Sequence, residues 1–128
     1  HFCEQNRLRR NIRKNKKLAE INIAKEYVLN NFRKPITVSE VADYVCFSTN
    51  YFSRLFSSVT GEPFTHYVRR IRLAEAKELL VRTNLAITEI AFEVGFGSLQ
   101  YFNNTFQKME KCSPSAYRKK FVSSIIRD

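Results

Sequence analysis

Apolar residues recur every three or four positions along most of the chain, which is the spacing of helices buried on one side. Long stretches contain neither glycine nor proline, and the whole chain has only three of each. This scarcity favours an all-α fold over a turn-rich β fold. We predict one helix from Ile21 up to Lys34-Pro35, and others over about 38–46, 49–58, 64–82, 87–94, 98–111 and from Pro114 onwards.

Capping residues support these boundaries. Thr37-x-x-Glu40 is a capping box, and Ser48 suits the N-cap of the next helix. Gly61-Glu62-Pro63 is expected to end that helix, and Ser113-Pro114 supplies the cap and the first position of the last one.

The same order of residues occurs twice, which predicts two copies of one helical unit. Each copy has a small residue, Ala42 or Ala91, that lets two helices cross closely, as a helix-turn-helix requires. The second copy has one extra residue in its turn. The matching segments are Val41-Ala42-x-x-Val45-Cys46-Phe47 with Ile90-Ala91-x-x-Val94-Gly95-Phe96, Tyr51-Phe52-x-x-x-Phe56 with Tyr101-Phe102-x-x-x-Phe106, and Phe64-x-x-Tyr67 with Pro114-x-x-Tyr117.

This repeat predicts two helix-turn-helix subdomains joined by a long linker helix. The expected divisions are a basic lead-in or interdomain linker at 1–20, a first subdomain at 21–62, the linker helix at 63–82 and a second subdomain at 83–128. A linker helix of about 19 residues is about 28 Å long, and successive major grooves on one side of B-DNA lie about 34 Å apart. Two reading helices in successive major grooves are compatible with that length.

The charge of the chain favours a polyanionic partner. Twenty-two Lys and Arg against twelve Asp and Glu leave a net charge of +10. The lead-in concentrates part of this charge. Its helicity stays open, and it is interpreted either as a solvated linker or as a nucleic-acid-binding arm. Its basic residues are Arg7, Arg9, Arg10, Arg13, Lys14, Lys16 and Lys17.

Other features bound the class of protein. No apolar run suits a membrane span or a signal peptide, so we expect a soluble, cytoplasmic protein without a membrane partner. Cys3, Cys46 and Cys112 are widely spaced and suit reduced thiols, so we expect no metal, no cofactor and no enzymatic activity. The chain begins at His1 and its only methionine is Met109, so we expect it to be a fragment that lacks an upstream region.

The two copies of the repeated helical unit resemble the DNA-binding domain of the AraC/XylS family of bacterial transcription activators. The resemblance runs from about Ile21 to Phe121, and its most specific part is the fixed spacing of IA-x-x-VGF-x-x-x-x-YF-x-x-x-F followed by SP-x-x-YR. It implies seven α-helices in two subdomains, with one helix of each inserted into the major groove. It also implies binding to double-stranded promoter DNA, contact with RNA polymerase, and a separate domain, usually N-terminal, for effector sensing or dimerisation.

The chain departs from the family pattern at three positions. Lys111 stands where the family usually has glycine, so that residue must close its helix in a left-handed conformation, or the helix must end differently. Ala86 replaces the usual polar N-cap, which leaves that helix weakly capped. Asn104 stands where many members have arginine, which weakens any expectation of guanine reading there.

The two predicted reading helices carry outward side chains that can contact the edges of DNA bases. Arg54 suits guanine, amide side chains suit adenine, and Leu99 suits a thymine methyl group or packing within its own unit. The expected base-reading residues are Asn50, Ser53 and Arg54 in the first unit, and Leu99, Gln100, Asn103 and Asn104 in the second. The expected phosphate contacts are Ser48, Thr49, Arg69, Ser98 and Lys108.

Two other functions compete with sequence-specific DNA binding. A non-specific nucleic-acid-binding helical module would explain the charge, although most aromatic residues have core spacing rather than the exposure that base stacking needs. An enzyme, such as an alkyl-accepting DNA-repair protein, would need a reactive cysteine, and none of the three has a neighbouring His, acid or metal-ligand pattern.

Overall fold

The computed structural model describes the backbone of residues 2–127 and the side chains of residues 7–122, and within that range it is built of α-helices. The seven helices are α1 (Phe2–Asn31), α2 (Val38–Tyr44), α3 (Thr49–Thr60), α4 (Phe64–Arg82), α5 (Ile87–Glu93), α6 (Leu99–Glu110) and α7 (Pro114–Arg127). The all-α expectation is confirmed, with helices in the predicted order.

The helices form two compact units. The first contains residues 1–31 and 36–67, and the second contains residues 32–35 and 68–128, so that α4 begins in one unit and ends in the other. The basic segment expected as a lead-in is continuous with α1, and the side chains of residues 1–6, including Cys3, lie outside the described part.

The core of the first unit is an aromatic cluster covered by one face of α1. Phe52 and Phe56 of α3 are fully buried, and Phe64 lies 5.5 Å and 5.3 Å from their ring centroids. The predicted apolar stripe of α1 supplies Ile21, Ala24 and Val28, each with no exposed surface.

The second unit repeats this arrangement. Phe102 and Phe106 of α6 are fully buried with ring centroids 5.7 Å apart, the same separation as Phe52 and Phe56. Tyr117 packs on Phe106 at 5.5 Å, as Tyr67 packs on Phe56 at 5.2 Å. The repeat in the sequence is therefore a repeat of side-chain packing.

The turn inside each helix pair also repeats. Phe47 N donates to Ala42 O at 2.9 Å, and Phe96 N donates to Ala91 O at 3.0 Å. The residue before each phenylalanine has a positive φ, 64° at Cys46 and 95° at Gly95. This left-handed residue ends α2 at Tyr44 and α5 at Glu93, earlier than the predicted ends at about Cys46 and Val94.

Both unusual helix ends noted in the sequence are confirmed. Lys111 has φ 65° and ψ 15°, and its N–H donates to Gln107 O, which is the closure that Gly61 provides for α3 through Ser57 O. Ala86 has an extended backbone at the N-cap of α5 and offers no side-chain hydrogen bond.

Lys111→Gly should raise the free energy of unfolding by about 1 kcal/mol, because glycine adopts the left-handed conformation without the Cβ penalty. Chemical denaturation followed by circular dichroism would measure this change. The reverse replacement at the equivalent position, Gly61→Lys, is the matched control and should lower the free energy of unfolding by a similar amount. A destabilised Lys111→Gly variant would contradict the interpretation.

The short segment at residues 32–35 packs within the second unit. The half-buried Arg72 of α4 donates from Nε to Phe32 O at 2.9 Å and from its terminal nitrogen to Lys34 O at 3.2 Å. Arg33 pairs with Glu75 at 2.7 Å and with Glu93 at 3.4 Å. Hydrogen bonds and ion pairs therefore hold the segment that follows α1 within the second unit.

Candidate nucleic-acid interface

α3 presents a polar outer side opposite its buried phenylalanines. Asn50 and Arg54 are exposed, and Ser53 is half-buried beside them. Leu55, next to the buried Phe56, is half-buried. All three predicted base-reading residues of the first unit therefore lie on one accessible side of one helix.

α6 presents the equivalent side in the second unit. Gln100 and Asn104 are exposed, and Asn103 is half-buried. Leu99 is half-buried and packs against the second core, so packing accounts for at least part of its apolar character. The second outer side is thus made of amides, where the first carries a guanidinium.

Gln107 belongs to the same outer side and is absent from the predicted base-reading residues. It is exposed, and it lies three residues after Asn104 and four after Asn103, the spacing of neighbours on a helix surface. The sequence alone could therefore have identified Gln107 as a residue of this outer side. In the first unit the equivalent position is Ser57, which is half-buried.

The N-terminus of each reading helix has the same serine cap. Ser48 Oγ accepts a hydrogen bond from Tyr51 N at 3.2 Å, and Ser98 Oγ accepts one from Tyr101 N at 3.1 Å. Each hydroxyl keeps its own proton as a donor, so capping does not prevent a contact with phosphate. Thr49 is half-buried in the first turn of α3, whose backbone N–H groups also favour an anion.

The remaining two predicted phosphate contacts lie apart from these caps. Lys108 is exposed in the last turn of α6. Arg69 is half-buried on α4 and lies on neither reading helix.

Other basic residues are engaged by the protein itself. Arg118 of the SP-x-x-YR segment donates to Leu80 O at 2.9 Å and to Thr83 O at 3.3 Å, carbonyls at the C-terminal end of α4. Burial lowers the pKa of the Arg72 guanidinium, which donates to two carbonyls of the segment at 32–35. These arginines hold helix ends in place and are not candidates for phosphate binding.

The described part of the chain contains neither a candidate metal site nor a candidate membrane span. No group of three or more His, Cys, Asp or Glu side chains there has the arrangement of a metal site. Among the helices that the structure describes, none is both long and apolar enough to cross a membrane.

Known proteins resemble this chain in sequence and in the arrangement of their helices. The helix-turn-helix domain family matches residues 41–120. The uncharacterised HTH-type transcriptional regulator YfiF of Bacillus subtilis is 34% identical over 100 residues, which cover 78% of this chain and 32% of YfiF. The chain therefore spans about a third of the length of that relative.

Solved structures agree with the sequence comparison. The C-terminal domain of AraT, a response regulator from Geobacillus stearothermophilus, superposes with a TM-score of 0.77 at 34% identity, covering 79% of this chain and 84% of that one. The DNA-binding domain of AdpA, a global transcriptional factor solved with a target DNA, gives a TM-score of 0.78 at 24% identity, covering 81% and 94%. The second likeness establishes the shared fold.

Proposed function

This chain belongs to the AraC-type helix-turn-helix family of bacterial transcription regulators, and we propose that it binds double-stranded promoter DNA sequence-specifically, with α3 and α6 each entering a major groove. The observation that carries the proposal is that the same serine caps and phenylalanine pairs present a polar helix side twice. A net charge of +10 supplies attraction to the phosphate backbone.

The two reading helices are proposed to differ in what they recognise. In the first unit Arg54 donates to guanine O6 and N7, with Asn50 and Ser53 contacting neighbouring base edges. In the second unit Gln100, Asn103 and Asn104 suit adenine, and Leu99 adds an apolar contact to a thymine methyl. We infer sharper discrimination by α3 and a preference for A·T-rich sequence by α6.

Phosphate contacts are proposed to position these helices. The N-terminal residues Ser48, Thr49 and Ser98 lie where backbone N–H groups and a hydroxyl donor can meet an anion together. Lys108 and Arg69 are proposed to add charge at either side.

Selection from random genomic fragments at about 150 mM salt tests the proposal, because screening by salt weakens non-specific binding. We expect one short sequence motif to be enriched, without any added small molecule. Retention of fragments with no enriched motif, together with a steep salt dependence, would instead identify a non-specific nucleic-acid-binding module.

The activity of the whole regulator is a separate proposal. We infer a cytoplasmic protein in which other parts sense an effector or dimerise, and in which promoter binding acts on RNA polymerase, most simply as an activator. We propose no enzymatic step for this chain. Cys112 packs against the second core, and Cys46 supplies the left-handed residue of the first turn.

A further inference from the structure

Residues 7–17 of α1, about three helical turns, form a dense basic segment. Between residues 7 and 17 there are seven basic residues, and the first acidic residue after them is Glu20. Each of the seven side chains is exposed. They are Arg7, Arg9, Arg10, Arg13, Lys14, Lys16 and Lys17.

Part of this charge is aligned with the buried side of the same helix. Lys14 and Lys17 precede the fully buried Ile21 and Ala24 by seven residues, which is close to two helical turns. A further seven residues back, Arg7 and Arg10 lie on the same line. We call these four residues the basic stripe: Arg7, Arg10, Lys14 and Lys17.

The basic stripe faces the side of α1 on which α3 lies. The buried face of α1 packs against α2 and α3 in the first unit, and the stripe extends the line of that face towards the N-terminus. A duplex on the outer side of α3 lies on the same side of α1. A helix is about 10 Å across and the major groove about 8.5 Å deep, so the phosphate ridges reach nearly to the back of a seated reading helix.

We propose that the basic stripe binds the DNA phosphate backbone beside the base pairs read by α3. The proposal rests on the proposed function, and it adds a surface outside the two reading helices. Its chemistry is that of flexible ammonium and guanidinium groups on phosphate oxygens, which increases affinity without specifying sequence.

The opposite side of this segment favours DNA over a lipid surface as the partner. It presents Leu8 and Ile12, which are 61% and 58% exposed, followed by Asn15 and Ala19. Two large apolar side chains bury too little area to hold an amphipathic helix in a membrane interface.

Two double variants with the same change in charge provide the test. Arg10→Gln with Lys14→Gln removes one arginine and one lysine from the stripe, whereas Arg9→Gln with Lys16→Gln removes the same pair of residue types from about 130° away around the helix. Glutamine is a good helix former, and circular dichroism would verify that the helix is retained. Binding of each variant to a random-sequence duplex of about 40 base pairs is then measured across a salt series.

We expect the stripe variant to bind about ten- to sixtyfold more weakly at about 0.1 M salt, with the salt slope reduced by about 1.8. The control variant should lose less than about threefold and keep its slope. Equal losses in both variants would overturn the proposal, as would no loss in the stripe variant.

The stripe variant and a third variant, Leu8→Gln with Ile12→Gln, separate the other partners. Binding to phosphatidylserine vesicles that depends on the stripe while DNA binding does not would overturn the proposal in favour of a lipid surface. A dimer in sedimentation whose DNA affinity depends on Leu8 and Ile12, but not on the stripe, would overturn it in favour of a second copy. Because the duplex has random sequence, these results do not depend on whether genomic selection yields a motif.

Discussion

Gly95→Ala should lower the free energy of unfolding by about 3 kcal/mol or more, because two costs act at one position. Gly95 has φ 95°, which an L residue adopts only with strain. A Cβ there would also lie 2.4 Å from Phe32 O and 3.0 Å from the Nε of Arg72. Those two atoms form a 2.9 Å hydrogen bond, so the added methyl group must displace a backbone carbonyl and the guanidinium that binds it.

Gly97→Ala is the matched control for this change. Gly97 lies two residues away, has φ 75° and has no atom within 4 Å of its hypothetical Cβ. Its replacement should cost only the left-handed conformation, about 1 kcal/mol. Thermal or urea unfolding of both variants would measure the difference. Equal destabilisation would show that the contact with Phe32 contributes nothing.

The sequence does not predict why glycine is needed at position 95. The repeat aligns Gly95 with Cys46, and both have a positive φ, so local turn geometry alone does not require glycine. The close approach of Phe32 comes from 63 positions earlier in the chain, and no local pattern encodes it. The predicted caps at Thr37, Ser48 and Ser113, in contrast, depend on residues three positions apart and are confirmed.

The length of α1 shows a second limit. The apolar stripe predicts a helix only from Ile21 and leaves the helicity of the lead-in open, whereas α1 begins at Phe2. The preceding residues are largely Arg, Lys, Leu and Asn, so the segment lacks a buried face but contains many good helix formers. Hydrophobic periodicity alone cannot identify such a helix.

The candidate interface could be predicted from the sequence only in part. Outward positions on α3 and α6 follow from the spacing of Phe52, Phe56, Phe102 and Phe106, all of which are fully buried. Tertiary hydrogen bonds could not be predicted from spacing. Arg118 lies in the specific SP-x-x-YR segment, yet its side chain binds carbonyls at the end of α4.

Replacing Arg54 should have the largest effect on recognition. Arg54 is exposed on the outer side of α3, and a bidentate contact to guanine needs the planar guanidinium. We expect Arg54→Ala to cost about 1–3 kcal/mol on the preferred duplex and to relax the preference at one base pair. Competition binding against duplexes with single base-pair changes would measure both effects.

Arg54→Lys distinguishes base reading from simple charge. Lysine keeps the positive charge and loses the fork of donors, so this variant should keep the salt slope while the preference for guanine falls. Lys108→Ala supplies the contrast, since a phosphate contact predicts a uniform loss over all sequences and a salt slope reduced by about 1. If Arg54→Lys retained full discrimination and Arg54→Ala weakened every duplex equally, Arg54 would be a phosphate contact. The sequence preference of the first unit would then have to come from Asn50 and Ser53.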